Sequence, residues 1–171
     1  IGFSDINLGR SVSSAGDING DGFTDVIVSG PINNTPMSFV VYGKANGTTV
    51  NLSSGTIAAS DGFKITGATG TSSANQTVFG KSVSSAGDVN GDGFADVIVG
   101  SEEKIYVVYG GTSNTNLNLS GGNLAASKGF VITNGPTNGE LGASVSSAGD
   151  VNGDGLADLI VGAPGTDTVA G

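Results

Sequence analysis

Three nine-residue segments of the chain share the pattern Asp-x-Asn-x-Asp-Gly-x-x-Asp, and we call them acidic loops 1, 2 and 3. They cover residues 17–25, 88–96 and 150–158. Carboxylate and amide oxygens at alternate positions suit a hard cation that takes about six to eight oxygen ligands. The glycine lets each loop turn back on itself. The pattern therefore predicts three Ca²⁺ sites.

Each acidic loop offers five ligands. We assign side-chain oxygens to positions 1, 3, 5 and 9, with position 9 bidentate, and a main-chain carbonyl oxygen to position 7. Because position 7 contributes only its backbone, its side chain is free to pack inward. The assigned ligands are Asp17, Asn19, Asp21, Phe23 and Asp25 in acidic loop 1, Asp88, Asn90, Asp92, Phe94 and Asp96 in acidic loop 2, and Asp150, Asn152, Asp154, Leu156 and Asp158 in acidic loop 3.

An EF-hand, a simple hairpin turn and a magnesium site all fit the motif less well than a calcium loop does. An EF-hand has similar spacing, but it requires Glu at position 12 and helices on both sides. Position 12 is Val28, Val99 or Val161 here, inside an apolar run, so a helical calcium module is excluded. An ordinary Asn-Gly or Asp-Gly hairpin turn does not require aspartate at positions 1, 5 and 9 in three copies. Mg²⁺ is disfavoured because it keeps several waters and a stricter octahedron.

The charge of the chain is concentrated in these loops. The net charge is −9, and nine of the 15 acidic residues lie in the acidic loops. Carboxylates that converge without a cation repel one another, whereas three calcium ions would bring the net charge to −3. The acidity argues against nucleic acid and anionic membranes as partners. No stretch approaches the ~18 consecutive apolar residues that membrane insertion requires.

The acidic loops belong to a longer internal repeat, in which the first aspartates are 71 and 62 residues apart. Runs of about six residues rich in Val, Ile, Phe and Tyr, bounded by Gly, Asn, Asp or Ser, predict strands. Four strands recur in the first two units and two in the third. They lie near residues 10–15, 24–29, 38–43 and 62–67, then near 81–86, 95–100, 104–109 and 129–134, and finally near 143–148 and 157–162.

Four short antiparallel strands per repeat predict an all-β fold built from β-propeller blades. We predict a single repeat array over residues 1–171 that forms an incomplete propeller of about two and a half blades. Repeat 1 covers about 8–78, repeat 2 about 79–140 and the incomplete repeat 3 about 141–171, while residues 1–7 resemble a last blade strand. Because this arc leaves sheet edges open, we expect a homo-oligomer or a fragment of a larger propeller.

Residues 79–100, FGKSVSSAGDVNGDGFADVIVG, resemble the FG-GAP repeat, the unit of the integrin α-subunit propeller and of many bacterial and cyanobacterial surface proteins. The Phe-Gly pair is Phe79-Gly80, and it is replaced by Leu8-Gly9 and Leu141-Gly142 in the other copies. The Gly-Ala-Pro half is intact as Gly162-Ala163-Pro164. The resemblance implies that the calcium loops lie on one face and that ligands bind mainly through loops on the opposite face. Those candidate contact loops are residues 31–37, 67–78 and 134–140.

The expected function is a non-catalytic interaction or adhesion scaffold that calcium makes rigid. The chain has no His and no Cys, which removes the commonest general base and the commonest thiol nucleophile. Neutral Asn at position 3 suits the weak affinity of extracellular calcium modules, so we expect a secreted or cell-surface protein. The partner is an unidentified protein or glycan. An accessory domain of a secreted hydrolase and a calcium-dependent lectin remain as alternatives.

Overall fold

The computed structural model describes residues 7–67, 79–101, 104–133 and 140–165, and all regular elements in these ranges are β-strands. The all-β prediction is therefore confirmed. The strands are β1 (Ser11–Gly16), β2 (Asp25–Ile32), β3 (Thr35–Val41), β4 (Gly62–Thr66), β5 (Ser82–Gly87), β6 (Asp96–Gly100), β7 (Lys104–Val108), β8 (Leu117–Asn118), β9 (Gly129–Thr133), β10 (Ser144–Gly149) and β11 (Asp158–Gly162).

The strands form three sheets, which are the predicted partial propeller blades. The first has the order β1-β2-β3-β4-β8, the second β5-β6-β7-β9 and the third β10-β11. Within each sheet the first strands are antiparallel and follow one another along the chain. All ten predicted strands inside the described ranges are present, and their ends differ by up to three residues from the predicted ones.

Neighbouring sheets pack against each other through apolar side chains of their strands. All five residues of β6 are buried, as expected for a strand covered on both faces. One core lies between the first and second sheets and includes Ile27, Phe63, Phe79 and Val97. A second core lies between the second and third sheets and joins Ile98 to Val145 and Leu159. Neighbouring blades therefore share their hydrophobic cores.

Residues 31–37 form a tight hairpin, because β2 and β3 extend to a two-residue turn. Asn33 and Asn34 occupy this turn with φ of 50° and 60°, the left-handed values that asparagine tolerates best after glycine. This candidate contact segment is therefore mostly paired strand. The other two candidate contact loops, 67–78 and 134–140, lie outside the described residues except for their end residues, as do residues 1–6 of the predicted last blade strand.

Strand β8 was not predicted from the sequence, and it joins the second repeat to the first. It pairs in parallel with β4, with Leu117 opposite Ile65. The amide of Leu119 donates a 2.8 Å hydrogen bond to the Thr66 carbonyl, and the Leu119 side chain is buried in the core between the two sheets. The chain between β7 and β9 thus crosses to the neighbouring blade before it returns. In the described ranges no helix is long and apolar enough to cross a membrane.

Candidate metal centres

Each acidic loop connects the first two strands of its sheet. The register of β1 and β2 shifts between Ser14 and Gly16, and the equivalent shift precedes acidic loops 2 and 3. Such a bulge ends the strand pairing and redirects the chain into the loop. Gly20 and Gly22 have φ of 75° and 88°, which side chains rarely allow. The local sequence therefore forces the chain to coil where the carboxylates lie.

The first aspartate of each loop is surrounded by backbone amides. Oδ1 of Asp17 accepts hydrogen bonds from the amides of Gly20 (2.8 Å) and Asp21 (3.0 Å), and Oδ2 accepts one from Gly22 (2.9 Å). The same three bonds recur in acidic loops 2 and 3 at 2.7 to 3.2 Å. The loop backbone is thus wrapped around the carboxylate at position 1.

The side chains at positions 3 and 5 bind each other at the surface. The side-chain amide of Asn19 donates to Asp21 Oδ2 at 2.9 Å, and the Asp21 backbone amide donates to Asn19 Oδ1 at 3.0 Å. Asp21 Oδ1 also accepts a bond from the Phe23 amide. Acidic loops 2 and 3 repeat this arrangement.

The aspartate at position 9 has a second, structural role. Asp25 is fully buried, and its two carboxylate oxygens accept bonds from the amides of Ile18 (2.9 Å) and Gly43 (2.8 Å). Asp96 is buried in the same way between Val89 and Gly110. This carboxylate therefore ties the acidic loop to the chain that follows the third strand.

Gly43 and Gly110 were not predicted as partners of the loops. The signal that could have found them was the Tyr-Gly pair that follows the third strand in both complete repeats, Tyr42-Gly43 and Tyr109-Gly110. A Cβ atom at Gly43 would lie 2.5 Å from the Thr24 carbonyl oxygen, so only glycine brings its amide close enough to Asp25.

Burial makes the charged form of these carboxylates unfavourable. It raises the pKa of Asp25 and raises the pKa of Asp96 to about 6. Amide hydrogen bonds to the ionised carboxylates oppose this change, while the charges of the other two aspartates of each loop reinforce it. The like charges are thus near enough to act on one another. The lysine–carboxylate ion pairs Lys44–Asp61 and Lys81–Glu140 lie outside the acidic loops.

The donor chemistry of each loop fits a divalent cation with oxygen ligands. Three carboxylates, one side-chain amide and a loop backbone with positive-φ glycines occur within nine residues. In the part of the chain that the structure describes, however, no three acidic side chains are gathered as a metal-binding group. The side chains at positions 3 and 5 would exchange their mutual hydrogen bonds for the ion. The fifteen assigned ligands stay a prediction.

The side chain at position 7 is free to pack inward, but it does not do so. The Phe23 side chain is 44% exposed and that of Leu156 is 38% exposed. The Phe94 ring instead lies against acidic loop 1, where a Cβ atom on Gly20 would be 2.5 Å from Phe94 Cε1. Leu156 lies in the same way against Gly91 of acidic loop 2. The side chain at position 7 therefore packs sideways onto the loop of the preceding repeat.

Comparison with known proteins agrees with the repeated architecture. The family model of the FG-GAP repeat matches residues 8–49, 79–112 and 141–171. Integrin alpha-2 of Mus musculus is 36% identical over 101 residues, which is 58% of this chain and 8% of that protein. Integrin alpha-V of Gallus gallus is 32% identical over 170 residues, 94% of this chain and 15% of the relative. Integrin alpha-PS5 of Drosophila melanogaster is 32% identical over 160 residues, which is 91% of this chain and 15% of that protein. The chain thus spans a small part of these relatives.

Proposed function

The chain belongs to the FG-GAP repeat family, and from this premise we propose that it is a calcium-binding, non-catalytic β-propeller segment that serves as an interaction or adhesion scaffold outside the cell. The observation that supports the proposal most is the threefold recurrence of one hydrogen-bonded loop around an aspartate. Each acidic loop would bind one Ca²⁺ ion through positions 1, 3, 5, 7 and 9. Because the ion would bind only the folded state, its binding free energy would add to the folding free energy.

Calcium is favoured over magnesium by the ligand set. Five protein ligands in one loop suit the larger ion with its higher coordination number. Asn at position 3 reduces the ligand charge, which suits dissociation constants of roughly 10⁻⁴ to 10⁻³ M. Such sites fill at extracellular calcium levels, so we propose a secreted or cell-surface protein.

A scaffold is favoured over an enzyme by composition and by relatedness. The chain lacks His and Cys, and its relatives are named as integrin α subunits. We propose an unidentified protein or glycan as the partner. Binding to a glycan array that EDTA abolishes would point to a lectin, and hydrolysis in an ester or glycoside panel would contradict the non-catalytic proposal.

The exposed outer edge of the second sheet supports assembly with further FG-GAP chain. Phe63 of β4 is 2% exposed and forms one wall of a cavity whose other wall is residues 114–116 of the next repeat, whereas the equivalent Phe130 of β9 is 38% exposed. A groove of about 390 Å³ runs beside Phe130 and is lined by Leu124 and Val131. We propose that the segment after the third strand of a repeat, from a longer chain or from a second copy, covers this edge, as residues 114–118 cover β4.

Thermal unfolding tests the proposed function. The melting temperature is measured with EDTA, with millimolar MgCl₂ and with millimolar CaCl₂. Because an ion that binds only the folded state stabilises it by mass action, calcium should raise the melting temperature by several degrees and magnesium much less. An unchanged melting temperature in calcium would contradict the proposal. Light scattering on the same samples reports whether copies assemble.

A further inference from the structure

We propose that the residues at positions 7 and 8 of each acidic loop are positioning residues for the loop of the preceding repeat. Phe94 and Ala95, which lie in acidic loop 2, would thereby set the metal affinity of acidic loop 1. This inference rests on the proposed calcium binding, and it adds a coupling between sites that the ligand pattern alone does not contain.

The backbone provides the first contact between loops. The Ala95 amide donates a 3.1 Å hydrogen bond to the carbonyl of Asp17, the residue at position 1 of acidic loop 1. The Ala157 amide donates in the same way to the Asp88 carbonyl at 2.9 Å. Position 8 of one loop therefore holds the main chain of position 1 in the loop before it.

Side-chain packing provides the second contact. The Ala95 methyl group would lie 2.5 Å from a Cβ atom at Gly16, the residue that precedes Asp17. The Phe94 ring covers Gly20, whose amide binds the Asp17 carboxylate. Both ends of the Asp17–Gly20 segment are thus fixed by residues of the following repeat.

The following repeat also holds Ile18, the residue between these two contacts. The Ile18 carbonyl accepts bonds from the Gly111 amide at 2.8 Å and from the Asn114 side-chain amide at 3.3 Å. The Ile18 amide donates to the buried carboxylate of Asp25. Contacts from the second repeat therefore orient the peptide groups that position the carboxylates at positions 1 and 9 of acidic loop 1.

A loop that is already ordered loses less conformational entropy when it binds a ligand. Ordering side chains and loops costs about 0.5 to 1.5 kcal/mol per immobilised group, which corresponds to roughly 2- to 12-fold in affinity. Removing the Phe94 ring should therefore weaken calcium binding in acidic loop 1, although Phe94 belongs to acidic loop 2. Acidic loop 2 uses only the main chain of Phe94, so its affinity should change less.

Nitrogen–proton NMR spectra of the ¹⁵N-labelled chain resolve the three loops. The amides of Gly22, Gly93 and Gly155 each donate to the first carboxylate of their own loop, so each resonance reports one loop. CaCl₂ is titrated into the wild type and into Phe94→Ala. We expect the Gly22 midpoint to rise roughly 3- to 10-fold in the variant, and the Gly93 and Gly155 midpoints to stay within about twofold.

Two further variants make the test specific. Phe94→Leu introduces the residue that Leu156 supplies in the third repeat, and it should restore the Gly22 midpoint to within about twofold of the wild type. Phe23→Ala truncates the ring at the same position of acidic loop 1, and it should leave the Gly93 and Gly155 midpoints unchanged, since coupling runs toward the preceding repeat.

The outcomes separate the two proposals. If calcium moves none of the three glycine resonances in the wild type, the proposed calcium binding is wrong and the coupling falls with it. If calcium binds but Phe94→Ala leaves the Gly22 midpoint unchanged, or shifts all three midpoints equally, only the coupling between loops is wrong.

Discussion

The Gly43 amide donates a 2.8 Å hydrogen bond to the buried carboxylate of Asp25, although 18 positions separate the two residues in the chain. Asp25 was assigned only as a metal ligand, yet it also closes the end of the blade. The same bond joins Gly110 to Asp96. The aspartate at position 9 thus has two roles: it is a predicted metal ligand, and it accepts the hydrogen bond that closes the end of the blade.

Gly43→Ala should destabilise the chain by about 1 to 3 kcal/mol even in EDTA, because the methyl group overpacks against the Thr24 carbonyl and displaces the amide from Asp25. Gly47→Ala is the matched control. A Cβ atom there meets nothing within 4 Å, so its effect should stay within about 0.5 kcal/mol. Urea unfolding measures both variants, and equal stabilities would argue against the Gly43–Asp25 bond.

The stability of the metal-free chain should depend on Asp96 between pH 4 and 6. Burial raises the pKa of Asp96 in the folded chain to about 6, while the unfolded carboxyl keeps its usual value of 3.8. The folded state then binds the proton more tightly, so this group's contribution to stability is present at low pH and is lost as the pH rises through this window. Urea unfolding in EDTA at several pH values measures how stability changes across this window. Asp96→Asn should remove this part of the slope, and an unchanged profile in the variant would contradict the prediction.

Calcium should reverse the dependence of stability on pH, because the ion requires the ionised carboxylate. The increase in melting temperature that calcium causes should therefore grow as the pH rises from about 5 to about 7, across the raised pKa of Asp96. Differential scanning fluorimetry with and without calcium measures the increase at each pH. An increase that is the same at both ends of the range would show that the buried aspartates do not bind the ion.

Asp154→Asn should weaken one calcium site with little effect on the metal-free fold, because it removes a carboxylate charge but keeps an oxygen ligand. Asp154 is exposed, and the amide oxygen of asparagine can still accept the bond from the Leu156 amide. Isothermal titration calorimetry should show that one of about three ions per chain binds roughly tenfold more weakly. The free energy of unfolding in EDTA should change by no more than about 0.5 kcal/mol. Affinities that all stay at the wild-type values would remove position 5 from the ligand set.

Leu119→Ala should lower the free energy of unfolding by about 2 to 5 kcal/mol, because Leu119 is buried where the second repeat crosses onto β4. Leu52 occupies the equivalent position of the first repeat and is only half-buried, so Leu52→Ala is the matched control with a smaller loss. Urea unfolding compares the two. A similar loss in both variants would show that the crossing segment contributes little to blade packing.

Strand positions and the acidic loops could be read from the sequence, because both depend on residues that are near one another in the chain. Apolar runs such as DVIVG form central strands in any sheet that covers both of their faces, and Asp-Gly pairs turn the chain wherever they occur. The all-β class and the repeated hairpins follow from these local preferences.

The residues that contact an acidic loop from a neighbouring blade depend on how the blades stack. No local sequence pattern predicts this stacking. The Leu119 amide donates to the Thr66 carbonyl of the first blade, and the Phe94 ring packs against acidic loop 1 of the preceding repeat. Such contacts form only after each sheet buries its apolar face against its neighbour, because hydrophobic burial is non-directional and fixes no particular pair in advance. The amino-acid order thus decides which atoms can bind a cation, and blade packing decides how firmly those atoms are held.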